Sequence, residues 1–557
     1  MLGSLARRIL AAVAGVATSC ALAQVPLPSP ADPSRIEERA APIRPAPGRP
    51  EAPQIPRPAP AAVPEALKGV KLTLDEVNFE GATAIPAERL KAEAARYLGR
   101  EITGAEIFEL ANKLTVLYRN EGYLLSQVIV PPQSLSGRRL TLRVIEGYIA
   151  NVHVEGHQSV RPTLVALGER IKASRPLHSG VLERYLLIAN DLAGVQLRSV
   201  LTPSQATGAA DLTLIATLKR VEGYVSLDNY GSKYLGPGQL NASVAANRLI
   251  GNDQLRFSGT TTGNDELNYG QIAYSNVLSA EGLRLLLSAS QASTRPGFVL
   301  EPFEVRGRAE TYIVSAGYPL WRTRNGSVLG RAVFDARNTE SDVLGVRVIE
   351  DRVQALRLGL TWLSLDRFDG SSALDIELSQ GIGGTEQDDP LKSRVGADAT
   401  THKIVIDYER FQPFGSSFGL TLGFAAQWTD EPLLSTEQYA LGGRRYGRAY
   451  EPAELVGDRA VAFRLEPAYL RRGGGWLRLA QLYAFYDVGQ VYDEVETPGL
   501  KQSRSLASAG FGTRLGLAGN ITAMLEAAWP LTRPVASYMA EGKGDDVRIL
   551  GSLMVRF

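Results

Sequence analysis

The sequence predicts two small α+β units followed by an all-β, sixteen-stranded antiparallel barrel that spans a membrane. Helical periodicity ends near Arg220, and sixteen strand-like segments fill the 337 residues of 221–557, about 21 residues for each strand with its connection. Before that point the order strand, helix, helix, strand, strand occurs twice, over 69–147 and 148–220. Between the sixteen segments, short and long connections alternate.

Composition and charge exclude several classes of protein. The chain has 557 residues, with 60 Lys+Arg against 59 Asp+Glu, so it has no basic bias towards nucleic acid. Its single cysteine, Cys20, lies in a predicted targeting segment, which excludes disulfide scaffolds, thiolate metal sites and cysteine nucleophiles in the mature chain. The positions of the four histidines suggest no ligand cluster, so we expect neither a metal nor a cofactor. The histidines are His153, His157, His178 and His402.

The N-terminus has the layout of a secretory signal peptide, residues 1–23. Arg7 and Arg8 precede an apolar stretch from Ile9, and the small-residue run Ala21-Leu22-Ala23 predicts cleavage after Ala23. No later segment is apolar for the roughly 18 residues that a spanning helix needs. These features predict an exported chain without a transmembrane helix.

A Pro-rich linker, residues 24–68, follows the predicted signal peptide. It contains one island that favours a helix, near Asp32–Ala40, in which Asp32 is the expected N-cap and Pro33 the first helical residue. The remainder is predicted to be extended. The alternative interpretation is that the whole segment is only a spacer.

The first α+β unit, 69–147, begins with an alternating strand over 70–81 and a helix over 87–99. Thr103 and Glu106 form a capping box that opens a second helix, which Gly122 ends. Two strands follow, "YLLSQVIV" and "RRLTLRVIEG".

The second unit, 148–220, repeats that order. The predicted elements are a strand over 148–156, helices over 161–171 and 179–192, and strands over 195–203 and 210–220. Each unit would expose sheet-edge backbone able to receive an extended peptide as an added strand. The alternative is that both units are structural spacers.

Side-chain alternation in the predicted barrel strands is compatible with a membrane barrel and with a soluble sandwich. In "QLNASVAANR", Leu240, Ala242, Val244 and Ala246 share one face, and polar residues share the other. The connections discriminate between the two folds. Those after even-numbered strands are short, such as "IGND" and "SAEG", whereas most of the others are long, such as "RPGFVLEPFEV" and "NTESDVLGVRVIED". This two-sided asymmetry predicts an outer-membrane barrel, and an even strand number places its C-terminus beside the N-terminal domains.

The sixth long connection, 429–458, has three arginines and four glycines between residues 442 and 457. Its central motif is Gly442-Gly443 followed by Gly447-Arg448-Ala449-Tyr450. Here the chain resembles the two-partner secretion transporters of the outer membrane, the haemolysin secretion/activation family, over essentially its whole mature length. In that family the sixth loop has a Gly-Gly pair followed by Val-Arg-Gly-Tyr/Phe. Alanine tolerates positive φ less well than glycine, so Ala449 bears on the conformation of the loop tip.

The resemblance implies a partner motif, Phe-x-Asp-x-Gly, on the inner barrel wall. The sequence "FYDVG" supplies Phe485, Asp487 and Gly489. Because Asp487 shares the parity of Phe485 and Gly489, we expect it to face the lumen, where Arg448 would pair with it. Such a buried pair would cost several kcal/mol to break on one side. The arginines and glycines of the loop are then explained by its entry into a narrow lumen.

The resemblance also implies the domain identities, the location and the function. The two small units would be POTRA domains in the periplasm of a Gram-negative bacterium. They would capture a large unfolded exoprotein, an adhesin- or haemolysin-like cargo, for export through the barrel. Other expected partners are outer-membrane lipid and the barrel-assembly machinery, which would recognise the strand ending at Phe557, and the helix near 32–40 would plug the resting barrel.

Alternative functions are an outer-membrane protein assembly or insertion factor, a diffusion porin and a barrel enzyme. Assembly factors of the superfamily usually carry more POTRA domains than two, and porins lack such an array. The sequence has no G-x-S-x-G elbow and no Walker motif. We therefore expect a transporter and no enzymatic activity.

Overall fold

The computed structural model describes residues 28–36, 63–64, 70–134, 137–495 and 502–557. The predicted signal peptide, 1–23, and most of the predicted linker, 24–68, lie outside these ranges. In the part of the chain that is described, no helix is both long and apolar enough to cross a membrane.

Residues 28–36 form two short 3-10 turns, Ser29–Ala31 and Pro33–Arg35. Asp32 caps the second turn, since its carboxylate accepts a hydrogen bond from the backbone N–H of Ser34 at 2.9 Å. The helix predicted near 32–40 therefore begins with the expected cap, but as a 3-10 turn, and its residues after Ile36 lie outside the described ranges.

The first α+β unit contains two helices and five short strands. Its elements are β1 (Lys71–Thr73), β2 (Glu76–Glu80), α1 (Ala87–Ala94), β3 (Glu101–Thr103), α2 (Gly104–Asn120), β4 (Gln127–Ile129) and β5 (Arg139–Ile145). The main sheet has the order β2-β5-β4, and β1 pairs separately with β3. The single strand predicted over 70–81 is wrong, because the buried Leu74 forms a bridge with Leu98 and interrupts the run between β1 and β2.

Glu146 ties together the end of this unit. Its carboxylate accepts hydrogen bonds from the backbone N–H groups of Thr83 and Ala84, at 2.7 and 2.8 Å, and from the Tyr118 hydroxyl at 3.1 Å. Burial, the largest single effect, acts to raise the pKa of Glu146, but these hydrogen bonds together lower it below its ordinary value. The charged form is therefore the one that the fold stabilises.

The second α+β unit follows the predicted order closely. Its elements are β6 (Tyr148–Gly156), α3 (Arg161–Lys172), α4 (Ser179–Asn190), β7 (Val195–Pro203) and β8 (Ala209–Leu218), with the sheet order β6-β8-β7. Apolar faces of both helices pack on one face of this sheet, where Leu164, Leu182 and Leu212 are buried.

Sixteen antiparallel strands close into a barrel. They are β9 (Val221–Asp228), β10 (Gln239–Asn247), β11 (Asp253–Thr262), β12 (Leu267–Val277), β13 (Arg284–Thr294), β14 (Arg306–Arg322), β15 (Gly326–Val343), β16 (Val346–Leu365), β17 (Ser371–Gly384), β18 (His402–Phe414), β19 (Phe418–Trp428), β22 (Arg459–Arg472), β23 (Leu477–Tyr492), β24 (Ser503–Leu517), β25 (Ile521–Pro530) and β26 (Arg548–Arg556). Between β19 and β22 lies a small separate hairpin, β20 (Tyr439–Leu441) with β21 (Leu455–Gly457). The fold class predicted from the sequence is confirmed.

The fourth long connection differs from the prediction. The sequence predicts a loop over 338–351, but β15 and β16 continue through it and meet at a two-residue turn, Leu344-Gly345, in which both residues have positive φ. Arg347 stabilises this extension by pairing across the hairpin with Asp342 at 2.5 Å. The connection is thus a hairpin that projects above the barrel rim.

The second α+β unit docks on the short-turn rim of the barrel. Val277, the last residue of β12, and Ala280, in the turn that follows, pack against its hydrophobic core. Arg322, at the end of β14, pairs with Asp191 at 2.8 Å, and Thr163 donates its hydroxyl to Asn252 at 2.7 Å. Several successive turns of the barrel therefore fix the position of this unit.

Candidate functional site

The site is built by the connection 429–458, hereafter loop 6, which folds into the barrel lumen. Its tip lies between β20 and β21, and Gly442, Gly443 and Gly447 have φ values of 108, 88 and 80°. A Cβ on Gly442 would lie 2.1 Å from the carbonyl oxygen of Glu451. Glycine is required at that position because both the left-handed conformation and the close approach exclude a side chain.

Arg448 and Asp487 form the contact predicted from the sequence motifs. Arg448 Nε lies 3.0 Å from Asp487 Oδ2, and Nη2 lies 3.0 Å from Oδ1, which is a bidentate arrangement. The backbone N–H of Arg448 also donates to Oδ2 at 3.3 Å. Arg448 is 4% exposed and Asp487 is fully buried, so bulk water does not compete for the pair.

Two further carboxylates, missed by the sequence analysis, complete the surroundings of Arg448. Its Nη1 atom lies 2.8 Å from Glu466 on β22 and 3.1 Å from Glu526 on β25. Arg514 on β24 also binds Glu466, at 2.5 Å. Two guanidinium groups therefore face three carboxylates, a net charge of −1 for these five groups when all are ionised.

Aromatic side chains line the same cluster. The guanidinium carbon of Arg448 lies 3.5 Å from the ring centroid of Phe485, and that of Arg514 lies 3.8 Å from the ring of Tyr483. The Tyr483 hydroxyl donates to Glu526 at 2.8 Å. Phe485, predicted as a supporting residue, thus stacks on the arginine of the loop.

The other motif residues fit the loop against the wall. Tyr450 is fully buried, and its hydroxyl donates to the carbonyl oxygens of Ala507 and Arg533, both at 3.1 Å. A Cβ on Gly489 would lie 2.7 Å from Leu441, so the wall is kept free of a side chain where β20 passes. Ala449 is buried and does not have a positive φ, whereas Gly447 does. The alanine at 449 therefore imposes no backbone strain.

A second buried cluster, also missed from the sequence, holds the start of loop 6. Glu437 accepts two hydrogen bonds from Arg357 on β16, at 2.8 and 3.1 Å, and pairs with Lys403 on β18 at 2.8 Å. Arg357 binds Asp335 on β15 through two further contacts. Loop 6 is thus anchored on two groups of strands, one formed by β15, β16 and β18 and the other by β22, β23 and β25.

The loop tip contains two more arginines, Arg444 and Arg445. Arg444 stacks over the ring of Tyr230 at 4.3 Å, and Arg445 pairs with Asp407 at 2.6 Å with a side chain that is 57% exposed. Neither belongs to the cluster around Arg448.

Residues 28–36 contact both loop 6 and the long-loop rim. The Arg35 side chain is buried and donates to the carbonyl oxygens of Gln438, at 2.6 Å, and Ser435. Ile36 packs in a cluster with Leu235, from the loop after β9, and Leu300, from the loop after β13. The described N-terminal segment therefore lies at the opposite rim from the α+β units.

One histidine lies in a group of potential metal ligands. His402 is within 3.1 Å of Asp430 and 3.2 Å of Glu431, and all three side chains are substantially exposed. This differs from the expectation that the histidines form no ligand cluster. Both ring nitrogens of His402 already contact these carboxylates, so the three side chains form an exposed hydrogen-bonded group.

Comparison with known proteins identifies relatives of both parts of the chain. The family model described as haemolysin secretion/activation protein ShlB/FhaC/HecB matches residues 212–515, more than half of the chain. The model described as POTRA domain, ShlB-type, matches residues 72–147.

Relatives and solved structures agree with these matches. The heme/hemopexin transporter protein HuxB of Haemophilus influenzae (strain ATCC 51907) is 25% identical over 484 residues, 84% of this chain and 83% of HuxB. The outer membrane transporter CdiB of Dickeya dadantii is 24% identical over 86% of both chains. The structure of CdiB from Escherichia coli shares the fold, with a TM-score of 0.74 and 19% identity over 91% of this chain and 94% of that one.

Proposed function

We propose, from the premise that this chain belongs to the haemolysin secretion/activation family ShlB/FhaC/HecB, that it exports an unfolded exoprotein through a barrel held shut by loop 6. It is an outer-membrane transporter of two-partner secretion, with its POTRA domains in the periplasm. The observation that carries the proposal is the buried pairing of Arg448 with Asp487, which holds a long loop inside the lumen.

Capture of the exoprotein is assigned to the POTRA sheets. In the first domain the sheet order β2-β5-β4 leaves β2 and β4 at the edges, and in the second the order β6-β8-β7 leaves β6 and β7 there. An extended peptide can add to such an edge through backbone hydrogen bonds, independently of most of its side chains. This mode suits a long, unfolded cargo with variable sequence.

The resting barrel is closed, on this proposal, from two sides. Loop 6 is held by the clusters around Arg448 and Glu437, and residues 28–36 lie against it through Arg35. Movement of the N-terminal segment would therefore remove two hydrogen bonds from the start of loop 6. The segment acts as a plug that leaves when cargo arrives.

The energy for export is assigned to the cargo. Because the sequence has no Walker motif, the direction of transport must come from folding of the exoprotein outside the cell, where it buries apolar surface. The relatives bear different printed names, heme/hemopexin transporter and CdiB, so the proposal is limited to a large secreted exoprotein.

The proposal is tested by comparing culture medium and outer-membrane fractions from cells with wild-type protein, without it, and with Arg448→Ala or the matched control Arg445→Ala. We expect one or two large proteins to disappear from the medium without the protein and with Arg448→Ala, while the variant barrel still inserts. Arg445→Ala should export normally because the Arg445 side chain is 57% exposed, so solvent screens its ion pair.

Two results would contradict this. Normal export by Arg448→Ala would refute the proposed tether. A general fall in outer-membrane barrels in the absence of the protein, with secretion intact, would favour the assembly-factor alternative.

A further inference from the structure

A cavity of about 570 Å³ opens in the second POTRA domain, between the end of α3 and the start of α4. Its lining includes Arg170, Ser174, His178, Val181, Arg184 and Tyr185. Three of the polar side chains, Arg170, Arg184 and Tyr185, also contact residues of the barrel. None of these residues belongs to the loop 6 site.

The hydrogen-bond donors that line this cavity already contact one carboxylate, that of Glu281. Glu281, from the short turn after β12, accepts from the Tyr185 hydroxyl at 3.0 Å and lies 3.5 Å from Arg170 Nε and 4.0 Å from Arg184 Nε. Two arginines therefore face one carboxylate, which leaves one positive charge uncompensated. The distances from the arginines are longer than those of tight charge-assisted pairs, so both retain donor capacity.

The cavity lies at the lipid boundary of the barrel. Arg184 donates to the Tyr318 hydroxyl at 3.4 Å. On β14, Tyr318 has the same parity as the exposed residues Tyr312 and Val314, so it faces outwards, towards lipid. Leu320, in the β-bulge that follows, is 56% exposed. Leu278, in the same turn as Glu281, is also 56% exposed. Cationic donors next to an apolar outer wall are the arrangement that recognises a lipid headgroup.

We propose that this cavity binds the phosphate of an anionic phospholipid from the periplasmic leaflet. Arg170 and Arg184 would contact the phosphate, with Tyr185 as a hydroxyl donor, while the acyl chains lie against the outer wall beside Leu278 and Leu320. The lipid would share these donors with Glu281 and fix the second POTRA domain to the membrane surface as well as to the barrel. A lipid is favoured over an acidic cargo segment because the cavity adjoins the outside of the barrel and not its lumen.

The test measures lipid binding by the full-length, detergent-solubilised protein in native mass spectrometry. The probe is dioctanoyl phosphatidylglycerol, compared with glycerol 3-phosphate and with an aspartate-rich peptide. We expect one tightly bound phosphatidylglycerol, and an affinity about ten-fold or more lower for the double variant Arg170→Ala/Arg184→Ala. The matched control is Arg139→Ala/Arg143→Ala, which removes two exposed arginines of the first POTRA domain and should change nothing.

A second variant keeps the test decisive if the double variant does not fold. Glu281→Gln removes the competing charge and should tighten phosphatidylglycerol binding several-fold. Equal binding by wild type and the arginine variant, or no change or weaker binding with Glu281→Gln, would overturn the proposal. So would glycerol 3-phosphate binding as tightly as the lipid, or displacement of the lipid by the acidic peptide. Since export is not measured, this outcome is independent of the proposed function.

Discussion

Arg448→Ala should destabilise the docked state of loop 6 by about 4 kcal/mol. After removal of the guanidinium, Glu466 keeps Arg514 and Glu526 keeps the Tyr483 hydroxyl. Asp487 keeps only the backbone N–H of residue 448 and a long contact with Ser508 at 3.4 Å. Two buried carboxylates, Asp487 and Glu526, then lose the cation they pair with. Removing one partner of a buried ion pair typically costs about 3–5 kcal/mol, and the Tyr483 hydroxyl offsets part of the loss at Glu526.

Hydrogen–deuterium exchange of the purified full-length protein measures this cost directly. Backbone amides in the tip are protected by internal hydrogen bonds, among them Gly442 N–H to Tyr446 at 2.9 Å and Gly443 N–H to Tyr450 at 3.2 Å. A change of about 4 kcal/mol in the opening equilibrium corresponds to exchange that is faster by about three orders of magnitude. Arg445→Ala removes a partly exposed pair three residues away and should accelerate exchange by less than about five-fold.

A double variant that also changes Asp487 tests whether the unpaired carboxylate causes the faster exchange. In Arg448→Ala/Asp487→Asn the buried charge is removed together with its cation, so exchange should be slower than in Arg448→Ala alone. If Arg448→Ala exchanges like Arg445→Ala, or if the double variant is worse than the single one, then the pair does not hold the loop.

Three other perturbations test neighbouring parts of the molecule. Gly447→Ala should speed exchange of loop 6 about ten-fold, because the new Cβ would lie 2.5 Å from Leu506 and the residue has a φ of 80°. The control is Gly474→Ala, which should have no effect because its Cβ would have no atom within 4 Å. Glu146→Gln should increase exchange in the first POTRA domain at pH 7. Because the folded-state pKa of Glu146 is lowered, its stabilisation is present above about pH 4.5 and is lost on acidification, and the glutamine variant should lose that part of the pH dependence. Arg35→Ala should raise single-channel conductance in planar bilayers, and unchanged conductance would argue against a plug at loop 6.

The strands were predictable because two local signals coincide in them. Alternation of outward apolar residues with inward polar ones marks the strands, and Gly-, Asn- and Asp-rich turns mark most of their ends. The segments that the sequence predicts as strands over 253–262 and 267–277 therefore coincide with β11 and β12. The hairpin around Leu344-Gly345 was missed since polar residues such as Glu340 and Asp342 resemble a loop when their cross-strand partners are unknown.

The central pair of the site was accessible through motifs, but its surroundings were not. Glu466, Glu526 and Arg514 come together around Arg448 only when β22, β23, β24 and β25 lie side by side in the closed barrel. One signal was nevertheless present in the sequence. Glu466 and Glu526 each follow an outward-facing leucine, Leu465 and Leu525, in strands predicted to span the membrane. An ionisable residue at an inward position of such a strand is by default a candidate functional residue.

The unequal lengths of the barrel strands have a consequence for the surrounding bilayer. The strands β14, β15 and β16 contain 17, 18 and 20 residues, whereas β9, β10, β11, β25 and β26 contain only 8, 9, 10, 10 and 9. At about 3.3 Å per residue and a tilt of about 40°, the shorter strands cover about 20–25 Å of membrane depth. A typical hydrocarbon core is about 30 Å thick, so lipids beside the β26–β9 closure must compress or disorder while those beside β15 need not.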